Sequence, residues 1–75
     1  MDEVRLKVPE AHCEGCIQAL RMGLRLVEGI LGVEGSARER VVRVRFDPDR
    51  VGVEDIRKAL ARLGYPGAEP LHGEG

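Results

Sequence analysis

The apolar residues of this chain keep two periods, and the order in which the periods alternate leaves few folds open. Val4, Leu6 and Val8 alternate with Arg5 and Lys7, the period of a half-buried strand, and Pro9 closes it by withholding a backbone donor. Ile17, Leu20, Leu24 and Val27 then recur at helical spacing, which predicts a first helix with Cys16 in its opening turn and Gly29 as its stop. A weaker strand pattern from Ile30 to Ala37, diluted by Gly32 and Gly35, is followed by Val42, Val44 and Phe46 alternating with Arg43 and Arg45. Together they predict a hairpin that turns near Arg38 to Arg40 and ends at Asp47-Pro48. Ile56, Ala59, Leu60 and Leu63 predict a second amphipathic helix that starts near Gly52, carries Glu54 and Asp55 in its first turn and stops at Gly64. Tyr65 to Leu71 has room for a short edge strand, because Pro70 cannot donate to a ladder, and His72 to Gly75 is expected to fray.

The order is therefore βαββαβ. Right-handed crossovers on that order give an α+β, ferredoxin-like sandwich, with two helices on one face of a four-stranded antiparallel sheet. At 75 residues there is one domain, residues 1–75, with a core over about 3–70; a chain of this size buries about 60% of the surface it exposes unfolded. A hydrophobic fraction of 43% against 33% charged residues places it with folded chains and not disordered ones. A net charge of -1 gives no bulk attraction to nucleic acid or anionic membrane. No apolar run approaches the roughly 18 residues of a membrane span, and the acidic start Met1-Asp2-Glu3 does not read as a secretory leader, so a cytoplasmic location is expected. In that compartment thiols stay reduced, and a cysteine pair binds metal or does redox work more readily than it staples a fold.

Both cysteines lie in one loop, Glu10-Ala11-His12-Cys13-Glu14-Gly15-Cys16, at the seam between the first strand and the first helix. Two thiols at this spacing converge when the second opens a helix, whose N-terminal dipole favours thiolate. A thiol oxidoreductase would carry an aromatic before the first cysteine and a proline between the two, and neither is present. A closed structural zinc site needs two more ligands, and the other histidine, His72, is in the tail, so that route requires a dimer or a partner. An open dithiolate at Cys13 and Cys16 suits Cu(I), which accepts two soft ligands and stays accessible to an incoming thiolate. His12 keeps a second reading open: with Glu10, Glu14 or water it would complete a site for Zn(II) or another divalent ion. Against this stands a plain exposed histidine, since neighbours on an extended loop point apart.

Val8, Cys13, Cys16, Leu20, Leu24, Gly29, Val33, the run Val44-Arg45-Phe46-Asp47-Pro48, Ile56 and Gly64-Tyr65 together resemble the heavy-metal-associated domains over roughly residues 3–70. Small bacterial copper chaperones, and the N-terminal metal-binding domains of heavy-metal P-type ATPases, are of this kind. The resemblance implies a metallochaperone that holds Cu(I) on Cys13 and Cys16. It implies transfer by docking onto a transporter's similar domain, a monomeric apo form and a possible metal-bridged dimer. It also implies that Ala11, Gly15 and Tyr65 surround the site, with Tyr65 shielding the ion or bonding a sulfur. The family usually has Gly-Met where this chain has Glu10-Ala11, so a less firmly tethered loop is expected.

Rival surfaces remain. Arg5, Lys7, Arg43 and Arg45 are expected on the bare sheet face, as a basic stripe or, in the plainer reading, as a solvated face with the charges of Glu34 or Glu3 nearby, and RNA recognition there needs stacking aromatics, of which only Phe46, on the buried parity, and Tyr65 exist. Arg21, Arg25 and Arg62 are expected to form one basic docking face, and Met22 with Leu26 to widen the core side of the first helix. No serine, histidine and carboxylate constellation or phosphate-binding glycine loop points to an enzyme.

Overall fold

A computed structural model describes residues 2–71, so the expected fray of His72 to Gly75 lies outside the described residues. The elements are β1 (Asp2–Lys7), α1 (Glu14–Arg25), β2 (Ile30–Ser36), β3 (Val41–Phe46), α2 (Val53–Arg62) and β4 (Glu69–Pro70). They form one antiparallel sheet in the order β2-β3-β1-β4.

Strand parity decides what is buried. Leu6 faces Val42 and Val4 faces Val44 across β1 and β3, and these side chains, with Phe46 and Val33, line the inner face. Ile17, Leu20 and Leu24 of α1 and Ile56, Ala59 and Leu60 of α2 close over them. Ile30 and Val33 both join this core although they are three positions apart, because the ladder slips between Ile30 and Gly32 and leaves Leu31 as a bulged, exposed extra residue. Gly35 also falls on the inner parity. A Cβ there would lie 3.0 Å from Ile17 Cγ2, so the missing side chain lets the first turn of α1 approach the sheet.

Two expectations need correction. Helix α1 ends at Arg25, not near Gly29: Leu26 and Val27 donate to the carbonyls of Gly23 and Leu24, tightening the last turn, and Gly29 at φ 97° instead turns the chain into β2. Met22 and Leu26 do not widen the core face; they are 71% and 88% exposed, because Leu20 and Leu24 already fill the space over the sheet and Gly23 is the residue that meets Leu63 of α2. The bare face of the sheet is the solvated, mixed-charge face of the plainer reading and not a continuous basic stripe, since Arg43 at its centre bridges Glu3 at 3.2 Å and Glu34 at 2.9 Å. Strand β4 is two residues long, paired with Leu6 and Lys7, as the donor-less Pro70 requires.

Candidate metal centre

The cysteine loop is fixed at both ends before either thiol is considered. Val8, fully buried, donates its N–H to Arg40 O at 2.7 Å, which ties the end of β1 to the β2–β3 turn. Arg40 makes that bond from the left-handed region, at φ 59°. Ala11 then donates to Val8 O at 3.0 Å and buries its methyl completely in the core. The small side chain thus does anchor the loop, between exposed Pro9 and Glu10 on one side and exposed His12 and Cys13 on the other.

Cys13 is the N-cap of α1. Its backbone is extended, at φ -134° and ψ 159°, and its sulfur accepts from the Cys16 N–H at 3.2 Å, the role a serine or aspartate oxygen commonly plays. Glu14 and Gly15, both exposed, complete the turn, and nothing lies within 4 Å of a Cβ placed on Gly15. Cys16 is half-buried, held down by its neighbour Ile17 beneath Gly35. One thiol of the pair is therefore exposed and the other sheltered.

Tyr65 reaches the same spot from the far end of α2. Leu63 caps that helix, Gly64 takes φ 103°, Gly64 N–H bonds Ala61 O at 3.0 Å and Tyr65 N–H bonds Leu60 O at 2.9 Å. This is the Schellman arrangement, in which a left-handed residue reverses the chain and only glycine adopts it without strain. The following loop is pinned where Arg57 Nε donates to Ala68 O at 3.3 Å, while Glu10 lies over Gly67.

The electrostatics follow from this geometry. The Cys16 thiol is held below its ordinary value, first by hydrogen bonding with the Cys13 sulfur and second by the Tyr65 hydroxyl, with the backbone amides of Cys13 and His12 adding to them against a modest cost of burial. Tyr65 is pushed above its usual value, mainly because its hydroxyl is the donor to Cys16, then by burial and by the negative charge of Cys16, Cys13 and Glu10. Each group thus biases the other: the phenol favours loss of the Cys16 proton, and the sulfur disfavours loss of the Tyr65 proton.

The sequence expectations come together unevenly. Cys13, Cys16 and Tyr65 meet, and Ala11 lies beneath them in the core. The His12 side chain is exposed, and its backbone is what bears on Cys16. Among the described residues no three His, Cys, Asp or Glu side chains gather closely enough to hold an ion. The soft donor atoms brought together there are the two sulfurs of Cys13 and Cys16. Arg21 and Arg25 flank Met22 and Gln18 in a shallow groove on α1, whereas Arg62 lines a different groove with Val27 and Arg50, so the three arginines do not share one face. Arg57 and Arg40, which brace the loops around the site, gave no sequence signal; Gly35 gave one, as a glycine inside a strand pattern.

Residues 5–66 match the family model described as the heavy-metal-associated domain. The chain belongs to that family. Over 65 residues it is 31% identical to the copper chaperone CopZ of Bacillus subtilis, covering 87% of this chain and 94% of that one. Over 63 residues it is 35% identical to the periplasmic component of the mercuric transport protein of Shigella flexneri, covering 84% of this chain and 69% of the relative. The crystal structure of a copper-binding domain from a P-type ATPase superposes with a TM-score of 0.90 at 27% identity over the whole of both chains. In this heavy-metal-associated domain the matched stretch contains Cys13, Cys16 and Tyr65 and leaves β4 outside it. No helix among the described residues is long and apolar enough to cross a membrane.

Proposed function

We propose that this domain carries one soft metal ion, Cu(I), on the thiolates of Cys13 and Cys16, and passes it to a similar domain of a P-type ATPase by ligand exchange. The observation that carries the reading is the pairing of the exposed Cys13 sulfur with the half-buried, thiolate-prone Cys16 under the Tyr65 hydroxyl, with no third side-chain ligand gathered among the described residues. Two soft anionic sulfurs satisfy Cu(I) and underfill the tetrahedron that Zn(II) prefers. The solvent side of Cys13 leaves room for an incoming thiolate to bind the ion before either resident sulfur departs, so transfer needs no free-ion intermediate and makes no covalent change in the carrier. Likeness to the copper chaperone and to the ATPase copper-binding domain supports both the cargo and the acceptor.

Arg21 and Arg25, one helical turn apart on α1 beside the exposed Met22, supply a basic docking face for an acidic acceptor surface along the helix that begins at the cysteine loop. Hg(II) is the second reading, because it shares the preference for two thiolates and a mercuric transport relative is 35% identical. Competition titrations of Cu(I), Hg(II) and Zn(II) against chelators of known affinity, under reducing conditions, decide the cargo. Cu(I) retained against a chelator that strips Zn(II) supports the proposal; zinc held more tightly than either soft ion overturns it.

A further inference from the structure

The chain leaves a second groove that metal transfer does not use. It runs between the helices from the C-terminus of α1 and the β3–α2 connection, at the end of the molecule away from the cysteine loop, along α2 to Arg62 in its last turn. Its volume is about 310 Å³. Val51 and Ala59 are buried in its floor and Val27 is half-buried, so the base is apolar.

The charges around that base are unevenly matched. Arg50 is neutralised by Glu28 at 3.5 Å and Asp47 at 3.6 Å, and the Asp55 carboxylate accepts the Gly52 N–H at 2.9 Å, which caps α2. Lys58 and Arg62 are exposed, four residues apart on one flank of α2, and among the described residues neither has a carboxylate within ion-pairing distance. Like charges at this spacing repel and weaken a helix slightly, and here no internal carboxylate offsets the cost. An external one would.

We infer that this groove docks an acidic polypeptide segment, one that sets two carboxylates against Lys58 and Arg62 and seats an apolar side chain on Val27, Val51 and Ala59. The apolar floor is what favours a peptide over a free phosphate or a lipid headgroup, since neither anion would use it. Neither the cysteine loop nor Tyr65 lines the groove, so such a contact holds the domain to a partner while leaving the thiols free to exchange metal. Rim charges of this kind act chiefly on association rate and are screened by salt.

The test is an NMR titration of the isotopically labelled full chain with a short synthetic peptide carrying two glutamates around a leucine, and with its glutamine counterpart. The expected result is amide shifts at Val27, Val51 and Ala59 that fade with added salt, are absent with the glutamine peptide and weaken roughly tenfold in the double variant Lys58→Glu, Arg62→Glu. The variant Cys13→Ser, Cys16→Ser should bind the peptide like the parent, so the groove stands or falls apart from the metal reading. Shifts confined to the Arg21 and Arg25 face, or no difference between the two peptides, would overturn the inference. So would binding to phosphatidylserine vesicles without binding to the peptide.

Discussion

Tyr65 and Cys16 bias each other's protonation in opposite directions, and that coupling is open to experiment. The phenol donates to the sulfur and favours thiolate, so Tyr65→Phe should raise the Cys16 pKa. With the pKa higher, the thiolate fraction at any pH on the acid side of it falls, and so does the rate of alkylation. The pH profile of iodoacetamide labelling in a Cys13→Ser background should therefore move to higher pH in the phenylalanine variant; an unmoved profile would remove Tyr65 from the site. His12 belongs to the same scale. Its exposed side chain is not gathered with a third ligand, so His12→Ala should change Cu(I) and Zn(II) affinity by less than roughly tenfold, about 1.4 kcal/mol, and by similar amounts. A selective loss of zinc in competition titrations would make the imidazole a ligand.

The elements that carry the site are held by two glycines whose roles differ. At Gly35 the neighbour is the branched side chain of Ile17, and a larger residue must push the first turn of α1 away from the sheet. Gly35→Val should cost about 1–3 kcal/mol in denaturant unfolding and weaken metal binding along with it, because Cys16 moves with Ile17. At Gly64 there is open space but φ 103°, so Gly64→Ala strains the backbone at about 1–2 kcal/mol and disturbs the turn that aims Tyr65. Much of this was legible in the sequence. Alternation at Val4, Leu6, Val8 and at Val42, Val44, Phe46 is a direct image of the pleat, and Cys13 and Cys16 announce themselves by spacing. What stayed hidden depends on tertiary fit. Val27 keeps helical spacing yet lies beyond the helix, because the chain turns early to start β2, and Leu31 is exposed because of a bulge that no periodicity announces. Arg57 braces the Tyr65 loop through a carbonyl eleven residues away, a contact that exists only after α2 and β4 are placed.

At the scale of the whole molecule, the core and the cargo site are separable. Leu6, Leu20, Leu24, Ile56 and Leu60 are completely buried without help from a metal, and Cys16 only packs against the edge of that core. The apo form should therefore be folded, and Cys13→Ser, Cys16→Ser should keep its dispersed amide spectrum, unlike a zinc finger stripped of its ion. Leu20→Ala, by contrast, should lose about 2–5 kcal/mol, a large share of the roughly 5–15 kcal/mol that stabilises a domain, with the intrinsic metal affinity of the remaining folded fraction little changed. The central claim is that two thiolates alone hold one soft ion, and the most direct measurement of it is the Cu(I) stoichiometry of the parent and the double serine variant against a chromophoric Cu(I) chelator under anaerobic, reducing conditions. The account predicts one ion per chain for the parent and none competed from the chelator by the variant; full binding by a correctly folded double serine variant would contradict it.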